Sequence, residues 1–115
     1  MNNRIFTSSD FIVPSNEEPL RSVVTSSDDS TIIMWTVKPG QVIKPHIHPE
    51  GQDTWYVLAG SAEYISDDTD KRTSIQKGDF VIAYKGEIHG AVNNGDEPFT
   101  FISVVSPSNA GFQLK

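Results

Sequence analysis

The chain contains three histidines, and two of them fall in "KPHIHPEGQD", residues 44–53. His46 and His48 stand two residues apart between Pro45 and Pro49, and Asp53 follows. In an extended strand, residues i and i+2 share a face. The two imidazoles would then lie side by side, with Cα atoms about 7 Å apart and within reach of one ion. If the chain turns at Pro49–Gln52 and pairs back antiparallel, Asp53 reaches the same face as His48 at a cross-strand spacing of roughly 5 Å. The third histidine, His89, opens another short run after the turn "YKGE". Three imidazoles and one carboxylate drawn from three strands are a donor set suited to a divalent metal ion. The competing reading is a polar turn that happens to contain histidine.

The elements that would position these groups read as strands. Short apolar segments rich in β-branched and aromatic residues recur: "SVVTS" (22–26), "TIIMWTV" (31–37), "TWYVLAG" (54–60), "AEYIS" (62–66), "RTSIQ" (72–76), "DFVIAY" (79–84), "HGAVN" (89–93) and "FTFISVV" (99–105). Turn chemistry separates them, and the spacing predicts an all-β sandwich or barrel. Asn94-Gly95 predicts a hairpin turn. Asp67, Asp68 and Asp70 predict another, because they lack the spacing and closing Glu of a calcium loop. Gly40, Gly60, Gly78 and Gly86 are expected at positive φ, and Asn93 is expected to close a turn. Glu17-Glu18, beside Pro19, reads as a solvated pair rather than an acid and base. Counting in twos from Asp53 puts Trp55 and Val57 on its face, so Trp55 is expected in a pocket wall. Residues 1–20 are expected to give an edge strand and a loop, and the last ten, "SPSNAGFQLK", a mobile terminus.

Composition excludes several classes. A chain of 115 residues predicts one domain, 1–115. With no cysteine there is neither a thiol nucleophile nor a sulfur-ligated metal. The net charge of −6 and the scattered Lys and Arg argue against nucleic acid. No apolar run approaches a membrane span or a secretory signal. A soluble cytoplasmic protein with no membrane partner is the expectation.

Two longer patterns frame the histidines. The first runs Gly40, "QVIKP", His46-Ile-His48, "PEGQ", Asp53, "TWYVLA", Gly60. The second runs Gly78, "DFVIA", Tyr84-Lys-Gly86, "EI", His89, "GAV", Asn93. Together, over residues 40–60 and 78–93, they resemble the two motifs of the cupin superfamily. In two places the chain departs from those motifs: Asp53 stands where the family usually has Glu, and Tyr84 where it usually has Pro. The resemblance implies an all-β double-stranded β-helix, or jelly-roll barrel. It also implies one divalent ion (Fe, Mn, Ni or Zn) held by His46, His48, Asp53 and His89. Gln52 is the alternative to Asp53, although strand alternation favours Asp53.

Three neutral imidazoles and a carboxylate around a divalent ion leave a net charge of about +1 and two open octahedral positions, which attract anionic oxygen ligands. The resemblance further implies a dioxygenase, isomerase or lyase acting on a small organic acid or sugar derivative, and a homodimer. Residues 4–13, with Ile5, Phe6, Phe11, Ile12 and Val13, would serve as an exchanged strand. Tyr64, Tyr84 and Glu63 are the candidates for a catalytic acid or base. A non-catalytic module that binds a small molecule and a storage-type barrel are the other readings.

Overall fold

The computed structural model describes residues 4–69 and 71–115. Residues 1–3 and Asp70 lie outside the described residues, and with them the start of the expected N-terminal strand and one member of the Asp turn. Ten strands follow a 3₁₀ turn at Ser8–Phe11: β1 (Ser22–Ser26), β2 (Thr31–Val37), β3 (Val42–Ile47), β4 (Gln52–Ala59), β5 (Ser61–Ile65), β6 (Arg72–Gln76), β7 (Phe80–Ala83), β8 (His89–Val92), β9 (Phe99–Ser106) and β10 (Gln113–Leu114). They form two five-stranded sheets, β1-β2-β9-β4-β7 and β10-β3-β8-β5-β6. Every pairing is antiparallel. This is the all-β sandwich expected from the strand pattern, in the jelly-roll arrangement that the resemblance implied.

The interior follows from alternation. On β4, Asp53, Trp55 and Val57 are buried while the residues between them are half-buried. β9 sends Phe99, Phe101, Ser103 and Val105 inward beside them, with Val57 opposite Phe101, Trp55 opposite Ser103 and Asp53 opposite Val105. One end of the sandwich is therefore closed by Val37, Val57, Ile75, Phe99 and Phe101. The other end carries the polar side chains. Each buried aromatic at the closed end, Phe99 or Phe101, removes enough apolar surface from water that truncation to Ala would cost about 3–5 kcal/mol.

The structure corrects four local expectations. Residues 4–21 contain no strand; Ser8–Phe11 form the 3₁₀ turn, and Pro14 and Pro19 lack the N–H groups a ladder needs. The C-terminal residues are not a free tail: β10 pairs with β3, setting Gln113 opposite Ile47 and Leu114 opposite His46, and Ala110 is fully buried. Asn94-Gly95 is no hairpin turn, because it joins β8 of one sheet to β9 of the other. Asn93 shapes this connection instead, donating from Nδ2 to the carbonyls of Val37 (2.9 Å) and Glu97 (2.8 Å) while its Oδ1 accepts from Gly95 N (3.0 Å). Finally, β3 and β4 do not form a hairpin. They belong to opposite sheets, so Asp53 faces the histidines across the sandwich.

Gly40, Gly60, Gly78 and Gly86 all have positive φ, as expected. Gly60 is the most constrained. It lies at φ +75° where the chain crosses from β4 to β5, and a Cβ there would strike the Pro98 carbonyl. Gly78, at φ +95°, faces open space. Gly78→Ala should cost about 1–2 kcal/mol from backbone strain alone, and Gly60→Ala should cost clearly more. Urea unfolding of the two variants checks this, and equal losses would show that the Pro98 contact is not limiting.

Candidate metal centre

His46 reaches the interior through an irregularity in β3. The register between β3 and β8 shifts between Ile43 and His46, at Lys44-Pro45, and then sets His46 directly opposite His89. Gly90 makes this possible, since a Cβ there would lie 2.7 Å from the Ile43 carbonyl oxygen. His48 follows β3 by one residue, His89 is the first residue of β8 and Asp53 the second of β4. Ring centroids are 4.1 Å apart for His46 and His89, and 5.1 Å for His48 with each of the others. One donor atom from each of the four residues lies within 4.8 Å of the rest.

The protons on the rings can be assigned. Each Nδ1 meets a backbone carbonyl: Lys44 O for His46 (2.7 Å), Gly111 O for His48 (2.6 Å) and Glu87 O for His89 (3.2 Å). A carbonyl only accepts, so every Nδ1 is the donor and every neutral ring carries its lone pair on Nε2. Asp53 Oδ2 lies 3.0 Å from His89 Nε2 and 3.3 Å from His48 Nε2. Ser103 Oγ donates to its other oxygen. Acceptors therefore face acceptors around one point, and only protons or a cation can reconcile them.

The electrostatics follow. Burial works against the Asp53 anion, but hydrogen bonds from His48 and His89, each once protonated on Nε2, and from Ser103 outweigh it and hold the carboxyl well below the usual carboxylate range. Burial also works against a cation on His48, yet Asp53 raises that pKa above its ordinary value. His46 is pushed down to about 4, first by burial and then by His89.

The donor set fits a divalent ion. It offers three imidazole nitrogens in a fixed tautomer and a carboxylate whose second oxygen is already bonded, the outer support that metal-binding histidines and carboxylates ordinarily have. Ligands about 2.1 Å from one ion lie no more than about 4.2 Å apart, so the cluster needs only a small contraction to hold one.

A cavity of about 840 Å³ opens beside the cluster, with His46, His48, Asp53, Trp35, Trp55 and Phe112 among its lining residues. Trp55 is a wall residue, as expected. Gln52 lies on the opposite face of β4 from Asp53 and outside the cluster. Tyr64 is buried edge-on against Trp55 (5.4 Å), behind the cavity wall. Burial and then the Asp53 charge push its phenol up, so it stays protonated. Glu63 instead bonds the Asn94 amide, and Tyr84 is exposed on the turn after β7, so neither enters the cavity.

Sequence reading missed Ser103 and Phe112. A lone serine on the inward face of an apolar strand was a usable signal for Ser103. Phe112 had none, since its place comes from the pairing of β10 with β3, which sets its ring 4.9 Å from that of His46.

The chain matches the cupin domain family over residues 33–105. It belongs to the cupins. A solved relative, an uncharacterized conserved protein with a double-stranded β-helix domain from Klebsiella pneumoniae subsp. pneumoniae, is 50% identical with a TM-score of 0.94, covering 98% of this chain and 97% of that one. Pectin degradation protein KdgF of Dickeya dadantii is 34% identical over 80% of this cupin and 81% of its own length. Germin-like protein 5-1 of Oryza sativa subsp. japonica is 34% identical over 68% of this chain, but the match spans only 36% of that protein.

The His46 shift has a stability consequence for metal-free protein. Its pKa is 6.5 when unperturbed and about 4 when folded. Between those values the unfolded chain binds a proton that the folded chain does not, so stability falls as pH drops through this window. The loss by pH 4.5 is about 2 kcal/mol. His48, with a raised pKa, works in the opposite sense. Urea unfolding of chelator-treated protein should show lower stability at pH 4.5 than at 6.5, with a smaller fall in His46→Gln. Equal falls would show that His46 is not the source.

Proposed function

We propose that this cupin binds one divalent ion (Fe, Mn, Ni or Zn) through His46, His48, Asp53 and His89. We propose further that it acts as a small metalloenzyme, of dioxygenase, isomerase or lyase type, on a small organic acid or sugar derivative. The observation that carries this reading is the tautomer set. Three Nδ1–H groups are tied to backbone carbonyls, leaving three Nε2 lone pairs and one carboxylate gathered around one point. When bound, such an ion supplies a Lewis acid that polarises a carbonyl or stabilises a developing enolate, or, as iron, redox chemistry with oxygen.

The chain's own residues do the rest. The Asp53 anion lowers the charge of an occupied site to about +1, which favours anionic oxygen ligands over neutral ones. Trp35, Trp55, Ile33 and Val105 line the cavity with apolar surface against which a carbon skeleton can pack. Phe112 lies over the His46 ring and shields it on that side. The likeness to a pectin degradation protein over most of both chains supports a sugar-derived substrate. Exposed Ile5, Phe6, Ile12 and Val13 support a homodimer that covers them.

A second reading, a non-catalytic binding cupin, also has an observation behind it. Glu63 and Tyr84 stay outside the cavity and Tyr64 lies behind Trp55, so none of the three is placed to shuttle a proton.

Protein purified without a His-tag or chelator should hold close to one equivalent of Fe, Mn, Ni or Zn by elemental analysis, and the His46→Ala/His48→Ala double variant should hold none. Ser103→Ala should retain metal with an affinity lowered about tenfold or more, because Asp53 loses its outer hydrogen bond. Absence of metal after reconstitution with each of the four ions would overturn the reading. NMR of small sugar acids and hydroxy acids incubated with loaded protein separates the two roles: consumption favours the enzyme, and saturable binding without consumption the binder.

A further inference from the structure

Two basic residues line the cavity, Arg21 and Lys44. They are not equivalent. Lys44 Nζ lies 3.0 Å from Glu18 Oε1, so the acid nearest in sequence to Arg21 is already engaged. Among the described residues, Arg21 has no carboxylate within ion-pairing distance. It nonetheless lines the same cavity as His46, His48 and Asp53. In a protein of net charge −6, an unpaired guanidinium in the wall of a mainly apolar cavity is a local exception.

Sheet register fixes its place. Ser22 lies opposite Met34, which sets Arg21 beside Trp35, and Trp35 is also a wall residue. Across that sheet the order is β1, β2, β9, β4, so Arg21 and Asp53 stand three strand spacings apart. Register also offsets them along the strands: Arg21 is level with Trp35, Phe101 and Val57, four residues along β4 from Asp53. The backbones therefore lie about 20 Å apart, a gap shortened by the side chains that reach in from both ends. The wall between includes Ile33, Trp35, Ser103 and Trp55. The cavity thus offers an anion-binding group at one end, a largely apolar floor and the His/Asp cluster at the other.

We infer that Arg21 is a specificity-determining residue, which takes the terminal carboxylate of a ligand whose oxygen-rich other end lies at the His46, His48, Asp53 and His89 cluster. The ligand class is then a small extended diacid, such as a five- or six-carbon hydroxy- or oxo-dicarboxylic acid, rather than a neutral sugar or a short monoacid. An arginine suits this role because its planar fork meets a carboxylate with two parallel hydrogen bonds. This assignment rests on the metal reading of the cluster.

The test is a titration of the metal-loaded full chain at constant ionic strength with lactate, malate, 2-hydroxyglutarate and 2-hydroxyadipate. Both tryptophans of the chain line the cavity, so their fluorescence reports binding. All four probes share the same 2-hydroxy acid end and differ only in whether, and how far away, a second carboxylate lies. Wild type should bind the better of the two longer diacids at least about tenfold more tightly than lactate. Arg21→Gln should abolish that ratio while leaving lactate affinity and metal content unchanged, and Arg21→Lys should restore part of it. A merely structural arginine would not change the ratio. No diacid preference in wild type, or the same preference in Arg21→Gln, would overturn the assignment. If wild type binds no metal, the metal reading fails on its own. The same diacid ratio, measured on the metal-free protein, then still decides the role of Arg21: an Arg21-dependent preference upholds it and none overturns it.

Discussion

A carboxylate buried between two sheets is the constraint around which this molecule is arranged. Asp53 is only 4% exposed, and an ion so placed is stable only with close partners. Ser103 comes from the same sheet, but the other partners, His48 and His89, come from the opposite one. The polar cluster is therefore a cross-sandwich tie at the open end, where the apolar packing of Val57, Phe99 and Phe101 no longer reaches. Removing one partner from such a group ordinarily costs about 3–5 kcal/mol, because the remaining charge is stranded. The tie also explains why the rings are so well oriented. An imidazole that must present Nε2 to an anion needs its other nitrogen fixed, and three separate backbone carbonyls do this.

Backbone irregularities serve that geometry. A regular β3 would still have set His46 and His48 on one face, but the shift at Lys44-Pro45 decides which face and at what level. Gly90 lets β8 approach the shifted strand, so that His89 stands opposite His46 rather than one residue away. The Gly111 carbonyl reaches His48 only because β10 draws the C-terminal residues onto the edge of β3. A close-packed terminal segment thus does for one ring what local strand geometry does for the other two.

This division explains what the sequence revealed. The strands and their inward faces were legible because alternation is a local signal: Asp53, Trp55 and Val57 fall on one side whatever pairs with them. The histidines were legible because a rare residue type fell at strand spacing. The partners of each strand were not. A two-residue turn signal favours hairpins, yet Asn94-Gly95 joins opposite sheets because the Asn93 amide is bound to Val37 and Glu97. The chain from His48 to Asp53 likewise crosses the sandwich instead of doubling back. β3 itself was hard to read, since Lys44 and Pro45 interrupt the pattern at the point where the strand shifts. The Ser- and Pro-rich terminus has the composition of a loop, and its order comes from contacts such as Gly111 with His48, 63 positions earlier.

The same logic separates the two halves of the site. The cluster sits on strands β3, β4 and β8, or one residue from them, where neighbours on both sides fix each side chain to the small tolerance that ion binding demands. Arg21, Phe112 and the Glu18–Lys44 pair come largely from the segment before β1 and the segment after β9, outside the two glycine-framed patterns. A barrel built this way can change what it selects at the rim without disturbing the charge balance at its centre, because no rim residue shares a hydrogen bond with Asp53. His48 is the one point where the halves meet. It donates to Gly111 at the rim and faces Asp53 at the centre, so a displacement of the C-terminal segment would reach the cluster through that ring first.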